Sequence, residues 1–208
     1  MINEIHITWH GHSCYTIEAG DYSIVLDPFA DGVVPGYENI RLTANEVICS
    51  HEHRDHGFRE GVTLVKGAEN PFTVEFIEIP HDNAGGSLRG MNKIAVLSAG
   101  GMRLAHFGDI GCMPDADAID KLCGLDLALI PVGGYYTMEP EGILRLLDQI
   151  KPKVVIPMHY RTDSFGYEVL HLLEDFLSER DVVIEYDTNS FTLDPDTPPQ
   201  TAVLKYLG

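Results

Sequence analysis

The sequence has no closely spaced cysteine pair, no apolar run of membrane-spanning length and few basic residues. Its four cysteines, Cys14, Cys49, Cys112 and Cys123, lie far apart, so reduced thiols are expected rather than a disulfide framework. No hydrophobic stretch approaches the roughly 20 residues of a transmembrane helix, and the first residues lack the basic start of a signal peptide. These absences predict a cytoplasmic protein that does not enter a membrane.

Basic charge is scarce, because 14 Lys and Arg stand against 32 Asp and Glu, for a net charge of −18 at pH 7. Nucleic-acid binding depends on basic side chains that neutralise phosphates, so we expect no nucleic-acid partner. A small anionic substrate stays open, because a bound metal can dominate the charge of a site. The sequence predicts a small-molecule substrate and leaves the oligomeric state open.

Histidine is concentrated in the hexapeptide His51-Glu52-His53-Arg54-Asp55-His56. Neutral imidazole and carboxylate are ligands of Zn²⁺ and other first-row metals. A buried strand is predicted just before the hexapeptide, and a loop that leaves a strand can turn alternate side chains toward one point. His51 and His53 can then share one metal, while Asp55 and His56 reach a second. The alternative is a solvated polar turn, which the charged residues between the histidines would also fit.

Three later segments place further ligand types where a strand is expected to end. His81 follows an alternating apolar pattern over 72–79, Asp109 follows a strand pattern over 102–107, and His159 follows a strand predicted over 153–157. Active sites in α/β folds gather at strand ends. A lone histidine is more often a structural, hydrogen-bonded residue, but four ligand-rich strand ends in one chain favour a metal centre.

The order of predicted elements indicates an α/β fold in a single domain, 1–208. Helices are predicted over 114–123, 139–150 and 165–180, from capping signals and from apolar residues at helical spacing. Strands are predicted over 4–9, 13–18, 22–26, 46–49, 62–65, 72–79, 93–98, 102–107, 126–130, 153–157 and 182–186.

These motifs, in this order, resemble the metallo-β-lactamase superfamily. More narrowly, they resemble its metal-dependent hydrolases similar to L-ascorbate-6-phosphate lactonase. Besides the histidine motifs, the resemblance is carried by Gly11-His12-Ser13, Leu26-Asp27-Pro28-Phe29, Gly108-Asp109-Ile110-Gly111, Pro131 to Met138 and Pro157-Met158-His159-Tyr160. It implies a four-layer αββα sandwich.

The resemblance also implies a ligand set for two divalent metal ions. His51, His53 and His81 would bind the first, Asp55, His56 and His159 the second, and Asp109 would bridge them. Zinc suits these ligands, while Mn, Fe and Ni are alternatives because affinity order alone does not set occupancy in cells. Three further residues are candidates to orient the ligand imidazoles, with purely structural hydrogen bonding as the alternative: His12, Asp27 and His106.

The implied activity is hydrolysis of a small ester, lactone or phosphoester by a metal-bridging hydroxide. Asp109 would hold the cations together and Asp55 would accept the nucleophile's proton. A diiron redox protein and a non-catalytic, metal-stabilised binding protein are the alternatives. Flavin-linked diiron reductases of the superfamily carry Glu at the position of His53, so the histidine favours hydrolysis.

Substrate contacts are expected from loops that flank the strand ends. The candidates are Arg89, Tyr135, Tyr136, Tyr160 and Arg161, of which the two arginines would bind an anionic group. The segment 29–41, which carries Gly and Pro and follows a strand, is a candidate lid.

Overall fold

A computed structural model describes residues 2–208 of the chain. Its strands are β1 (Ile5–Gly11), β2 (Cys14–Ala19), β3 (Tyr22–Leu26), β4 (Leu42–Ala44), β5 (Glu46–Ile48), β6 (Val62–Leu64), β7 (Thr73–Pro80), β8 (Met91–Ala99), β9 (Met102–His106), β10 (Leu127–Pro131), β11 (Val154–Met158), β12 (Val183–Glu185), β13 (Ser190–Leu193) and β14 (Gln200–Val203). Its helices are α1 (Ala116–Leu122), α2 (Pro140–Ile150) and α3 (Leu173–Leu177), and a 3₁₀ turn spans Arg59–Gly61.

Two mixed sheets form the centre of the fold. The first has the strand order β13-β1-β2-β3-β5, and the second has the order β12-β14-β11-β10-β9-β8-β7. In the second sheet β9, β10, β11, β14 and β12 run parallel, while β7 and β8 form an antiparallel hairpin at one edge. The parallel run places the carboxyl ends of β9 and β11 at the same edge of the sheet.

A continuous core lies between the two sheets. Ile7, Tyr15 and Ile24 of the first sheet belong to the same buried cluster as Leu97 and Leu129 of the second. The central strands β10 and β11 are buried along their whole length, as apolar parallel strands covered on both faces must be. The chain therefore adopts the expected αββα architecture.

The two outer layers are built differently. On one side, α1 and α2 contact each other and bury apolar residues such as Leu122 and Leu146 in the main core. On the other side, a second buried cluster joins Val25 of the first sheet to Phe29, Val34 and Ile40. The candidate lid 29–41 thus covers the outer face of the five-stranded sheet with apolar side chains.

The predicted helix over 165–180 is wrong for most of its length. Gly166 has φ +92°, a conformation that ends helical geometry, and its backbone N–H donates to Pro35 O. The backbone of His171 bonds outside the segment, with Gly133 O and with the N–H of Arg161. The apolar residues therefore keep helical spacing across a turn, and helix α3 covers only the last part of the predicted segment.

The other helices were predicted within two residues of their observed ends. Asp115 caps α1 by accepting a hydrogen bond from the Ala118 N–H at 2.9 Å. Pro140 begins α2, and Lys151, in the left-handed conformation, follows its last residue, Ile150. The strands β4, β13 and β14 were not predicted, and β14 inserts between β11 and β12. Within residues 2–208, no helix combines the length and apolarity needed to cross a membrane.

Candidate metal centre

The predicted ligands all lie in loops that leave strands. The hexapeptide follows β5, His81 follows β7, Asp109 follows β9 and His159 follows β11. His159 adopts φ +53°, a strained left-handed conformation for a non-glycine residue. Such strain at a buried polar residue is typical of a functional site.

The first group of donors consists of His51, His53 and His81. One nitrogen from each lies within 4.8 Å of the others. The Nε2 atoms of His51 and His81 lie 3.9 and 3.3 Å from Oδ2 of Asp109. The exposed His53 completes this group on the solvent side.

The second group consists of Asp55, His56 and His159, together with His12, whose donor atoms likewise lie within 4.8 Å of one another. The Nε2 atoms of His56 and His159 lie 3.2 and 3.4 Å from Oδ1 of Asp109. Asp109 therefore turns one carboxylate oxygen toward each group.

Several of these donor atoms are buried with their hydrogen-bonding capacity unused. Within residues 2–208, Nε2 of His51, His56 and His159 and Oδ1 of Asp109 are buried and have no hydrogen-bond partner. Burial of a polar atom without a partner costs free energy, so such a cluster needs an explanation. Imidazole and carboxylate donors converging at these distances fit divalent metal ions.

The ionisation of His51 and Asp109 suits metal binding, whereas His56 would have to release a proton to a binding cation. Burial would lower the pKa of His56, but Asp109 and Asp27 raise it well above its usual value. Burial and the neighbouring His56 lower the pKa of His51 to about 3, so its imidazole is neutral at pH 7. Burial alone would raise the pKa of Asp109, but the adjacent His159 and His56 hold it well below its usual range. Neutral imidazole and ionised carboxylate are the forms that coordinate cations.

Asp27 supports both groups through hydrogen bonds. Its Oδ2 lies 2.8 Å from His56 Nδ1 and accepts from Ser50 Oγ at 2.6 Å, while its Oδ1 accepts from the Ser50 N–H at 2.6 Å. Ser50 Oγ lies 2.9 Å from His51 Nδ1, which therefore donates to it. Asp27 thus contacts His56 directly and reaches His51 through Ser50, a residue that the sequence analysis did not single out.

Asn92 fixes the position of Asp109. Its Oδ1 accepts from the Asp109 N–H and its Nδ2 donates to Phe107 O, both at 2.9 Å. Gly108 has φ +52°, and a Cβ there would collide with the Asn92 side chain and with Ser50. The sequence pattern did not single out Asn92, because an asparagine near the start of a strand does not by itself indicate a role in a metal site.

His106 contacts the backbone rather than a ligand imidazole. Its Nε2 donates to Ser13 O at 2.9 Å, and its Nδ1 accepts from the Gly108 N–H at 3.2 Å. It ties the loop before Asp109 to the first sheet. His12, by contrast, is fully buried within the second donor group.

A cavity of about 270 Å³ opens onto the donor groups. It is lined by His53, Asp55, His81, Arg89, Asp109, Tyr136 and Tyr167. The Arg89 guanidinium carbon lies 5.5 Å from the centroid of the Tyr136 ring, within cation–π range. The Tyr167 hydroxyl donates to Asp55 Oδ2 at 3.4 Å. The sequence analysis did not identify Tyr167 as a cavity residue, because Tyr167 lies in the segment that was wrongly predicted as a helix.

Asp82 organises the loop that carries Arg89. Its Oδ1 accepts from the N–H groups of Ala84 and Gly86, and its Oδ2 accepts from those of Leu88 and Arg89, at 2.8 to 3.0 Å. Burial would raise the pKa of Asp82, but these hydrogen bonds lower it. The carboxylate therefore holds the loop in one conformation beside the cavity.

The remaining predicted substrate residues lie elsewhere. Tyr135 lines a neighbouring groove of about 500 Å³, which shares Arg89 and Tyr136 with the cavity. Tyr160 is buried, with its ring centroid 5.9 Å from that of Trp9. Arg161 donates from Nε to Leu170 O and lines a separate surface pocket. The structure brings neither Tyr160 nor Arg161 to the cavity.

Comparison with known proteins identifies the family. Residues 6–159 match the model of the beta-lactamase superfamily domain. A UPF0173 metal-dependent hydrolase of Desulforamulus reducens is 30% identical over 192 residues, covering 75% of this chain and 84% of the relative. One from Thermus thermophilus is 30% identical over 191 residues, covering 76% and 84%.

Solved structures agree with this match. A protein of Thermotoga maritima assigned to the Zn-dependent hydrolases of the metallo-β-lactamase superfamily superposes with a TM-score of 0.75, at 27% identity over 96% of this chain and 98% of that one. A metallo hydrolase of Ignicoccus hospitalis has the same fold, with a TM-score of 0.62 at 20% identity, covering 85% of this chain and 90% of that chain. The chain belongs to the UPF0173 metal-dependent hydrolases of the metallo-β-lactamase superfamily.

Proposed function

We propose that the protein is a dinuclear, zinc-dependent hydrolase of a small ester, lactone or phosphoester that carries an anionic group. The observation that carries this proposal is the placement of Asp109, whose two carboxylate oxygens face two separate groups of histidines. A carboxylate in that position suits a bridge between two cations. A phosphorylated sugar lactone, the substrate type suggested by the sequence resemblance, lies within this class.

The chain's own residues would hold the metals and prepare the site. His51, His53 and His81 would hold one ion, while Asp55, His56 and His159 would hold the other. When bound, two such cations lower the pKa of a water molecule toward about 7 and polarise the oxygen of the attacked group. Asp109 places the two sites side by side and offsets part of their charge.

Asp55 serves in this account as a ligand rather than as a general base. Its pKa is lowered because the neighbouring imidazoles of His12 and His56 outweigh the effect of burial. A carboxylate with so low a pKa is a weak proton acceptor near neutral pH.

Arg89 and Tyr167 complete the cavity on its solvent side. Arg89 is positioned to bind the anionic group, and its stacking on Tyr136 limits the orientations of the guanidinium. Burial and the nearby Asp55 raise the pKa of the Tyr167 phenol, which therefore keeps its proton at neutral pH. Tyr167 can donate that proton to a leaving oxygen.

The four cysteines are free thiols, as a reducing compartment allows, and we assign the protein to the cytoplasm on that basis.

Hydrolysis is tested with phosphorylated lactones, carboxylic esters and phosphodiesters, before and after treatment with a chelator. Metal-restored hydrolysis of one class supports the proposal. Iron that cycles between oxidation states, with no hydrolysis of any class, would contradict it and favour the diiron redox alternative.

A further inference from the structure

The imidazole of His12 occupies the second donor group, although it precedes the other ligands by about 40 residues. Its Nε2 lies 3.7 Å from Oδ2 of Asp55, and its ring centroid lies 4.1 Å from that of His159 and 5.2 Å from that of His56. His12 is fully buried. Neither of its ring nitrogens hydrogen-bonds to any group among residues 2–208.

The 3.7 Å separation decides between two roles for His12. Hydrogen bonds between nitrogen and oxygen span about 2.7–3.2 Å, so His12 is too far from Asp55 to form one of ordinary length. Two neighbouring ligands of one five-coordinate zinc ion, each about 2.0–2.2 Å from the metal and about 90–120° apart, lie roughly 2.8–3.8 Å from each other. The spacing of His12 Nε2 and Asp55 Oδ2 is therefore closer to that of ligands sharing a cation.

The backbone around His12 fixes its side chain toward the site. His12 has φ +50°, and its carbonyl accepts hydrogen bonds from Trp9 Nε1 at 3.1 Å and from the His159 N–H at 3.4 Å. A Cβ at Gly11 would collide with the Tyr37 ring, so the turn requires glycine there. A strained turn that buries an unpaired imidazole beside His159 indicates that the imidazole has a partner in the working protein.

We propose that His12 is a direct ligand of the second metal ion, through Nε2, in addition to Asp55, His56, His159 and the bridging Asp109. This inference rests on the proposed dinuclear site. The second ion then has five protein ligands and the first has four. Residues of both groups line the cavity, His53 and His81 of the first and Asp55 of the second, so the ion with fewer protein ligands, the first, would offer the open coordination position for substrate.

The decisive experiment is a crystal structure of the zinc-loaded wild-type protein, with the metals located by anomalous scattering at the zinc edge. His12 Nε2 within about 2.0–2.2 Å of the second ion is the expected result. Two zinc ions with His12 Nε2 farther than about 3 Å from both would overturn the assignment and leave the dinuclear hydrolase intact. Fewer than two zinc ions would contradict the proposed function itself.

A competitive zinc titration gives a second, independent readout on folded variants. His12→Asn preserves a residue type that tolerates the left-handed backbone, and circular dichroism verifies its fold. We expect its second site to weaken by more than about 100-fold, beyond the roughly 10–100-fold loss typical of residues that only orient a ligand. The matched control is His10→Asn, because His10 pairs with Thr16 outside the site and should bind both ions as the wild type does. Equal second-site affinity in wild type and His12→Asn would refute the ligand assignment.

Discussion

The Nδ1 atom of His56 lies 2.8 Å from Oδ2 of Asp27, a carboxylate that is almost completely buried. This contact fixes the His56 ring so that Nε2 faces Asp109. We expect Asp27→Asn to weaken zinc binding about 10–100-fold, the usual cost of losing a group that orients a metal-binding histidine. Competitive zinc titration measures the change.

The control for that variant is Asp31→Asn. Asp31 is a surface carboxylate that pairs with Arg41 at 2.6 Å, so the same chemical change there should leave zinc affinity as it is. Equal affinities in the two variants would mean that Asp27 has no part in orienting His56.

Replacement of Arg89 tests the source of substrate binding. We expect Arg89→Ala to lower kcat/KM for an anionic substrate about 10–100-fold, since hydrogen bonds to charged groups contribute about 1.5–3 kcal/mol. A neutral substrate of the same class should be affected much less. Arg41→Ala is the matched control on the surface. An equal loss for charged and neutral substrates would exclude anion binding by Arg89.

Tyr167 is expected to act on the leaving group. Tyr167→Phe should lower kcat about 100-fold or more, within the range for general acids, and the loss should grow for substrates with poorer leaving groups. Zinc content should not change. Tyr186→Phe removes a hydroxyl that donates to Gln200 and serves as the control. Identical kcat values for Tyr167→Phe and wild type would rule out proton donation by Tyr167.

The loop held by Asp82 should be sensitive to acid. The pKa of the Asp82 carboxyl is lower in the folded protein than in the unfolded chain. The carboxylate therefore stabilises the loop fully above the unfolded-state pKa of about 3.9, and this stabilisation is lost as the pH falls through the folded-state pKa. Asp82→Ala should therefore lack the amide protection over 84–89 that the wild type shows at neutral pH, and the two proteins should converge in acid, as measured by hydrogen exchange.

The corresponding change at a helix cap, Asp115→Ala, provides the comparison for Asp82. It should affect protection in α1 and leave the loop that carries Arg89 unchanged. Full protection of the loop in Asp82→Ala would show that the backbone holds its conformation without the carboxylate.

Much of the fold was predictable because local patterns agreed with the final packing. The alternating residues of β7 and the continuous apolar residues of β11 produced clear strand signals. The short strands β13 and β14 carry little local signal, since their pairing with β1 and β11 depends on residues far away in sequence. The prediction of a helix over 165–180 was wrong because the spacing of apolar residues does not reveal the left-handed backbone of Gly166.

The candidate site was predictable where a residue's type alone indicates its chemistry. The histidines and carboxylates at the strand ends lie together, as expected. Ser50, Asn92 and Tyr167 could not be identified, because a serine, an asparagine or a tyrosine becomes informative only through its contacts. Arg161 was a reasonable candidate by charge, but the turn after β11 directs it to another surface pocket.

The central claim is that Asp109 joins two metal sites in one chain. The most direct test is elemental analysis of zinc-loaded protein. It compares the wild type with Asp109→Ala and with a surface control, Asp117→Ala, which changes an exposed residue of α1. We predict two zinc ions per chain in wild type and Asp117→Ala, together with hydrolysis, and loss of at least one ion and of hydrolysis in Asp109→Ala. Two tightly bound ions and full hydrolysis in Asp109→Ala would contradict the account.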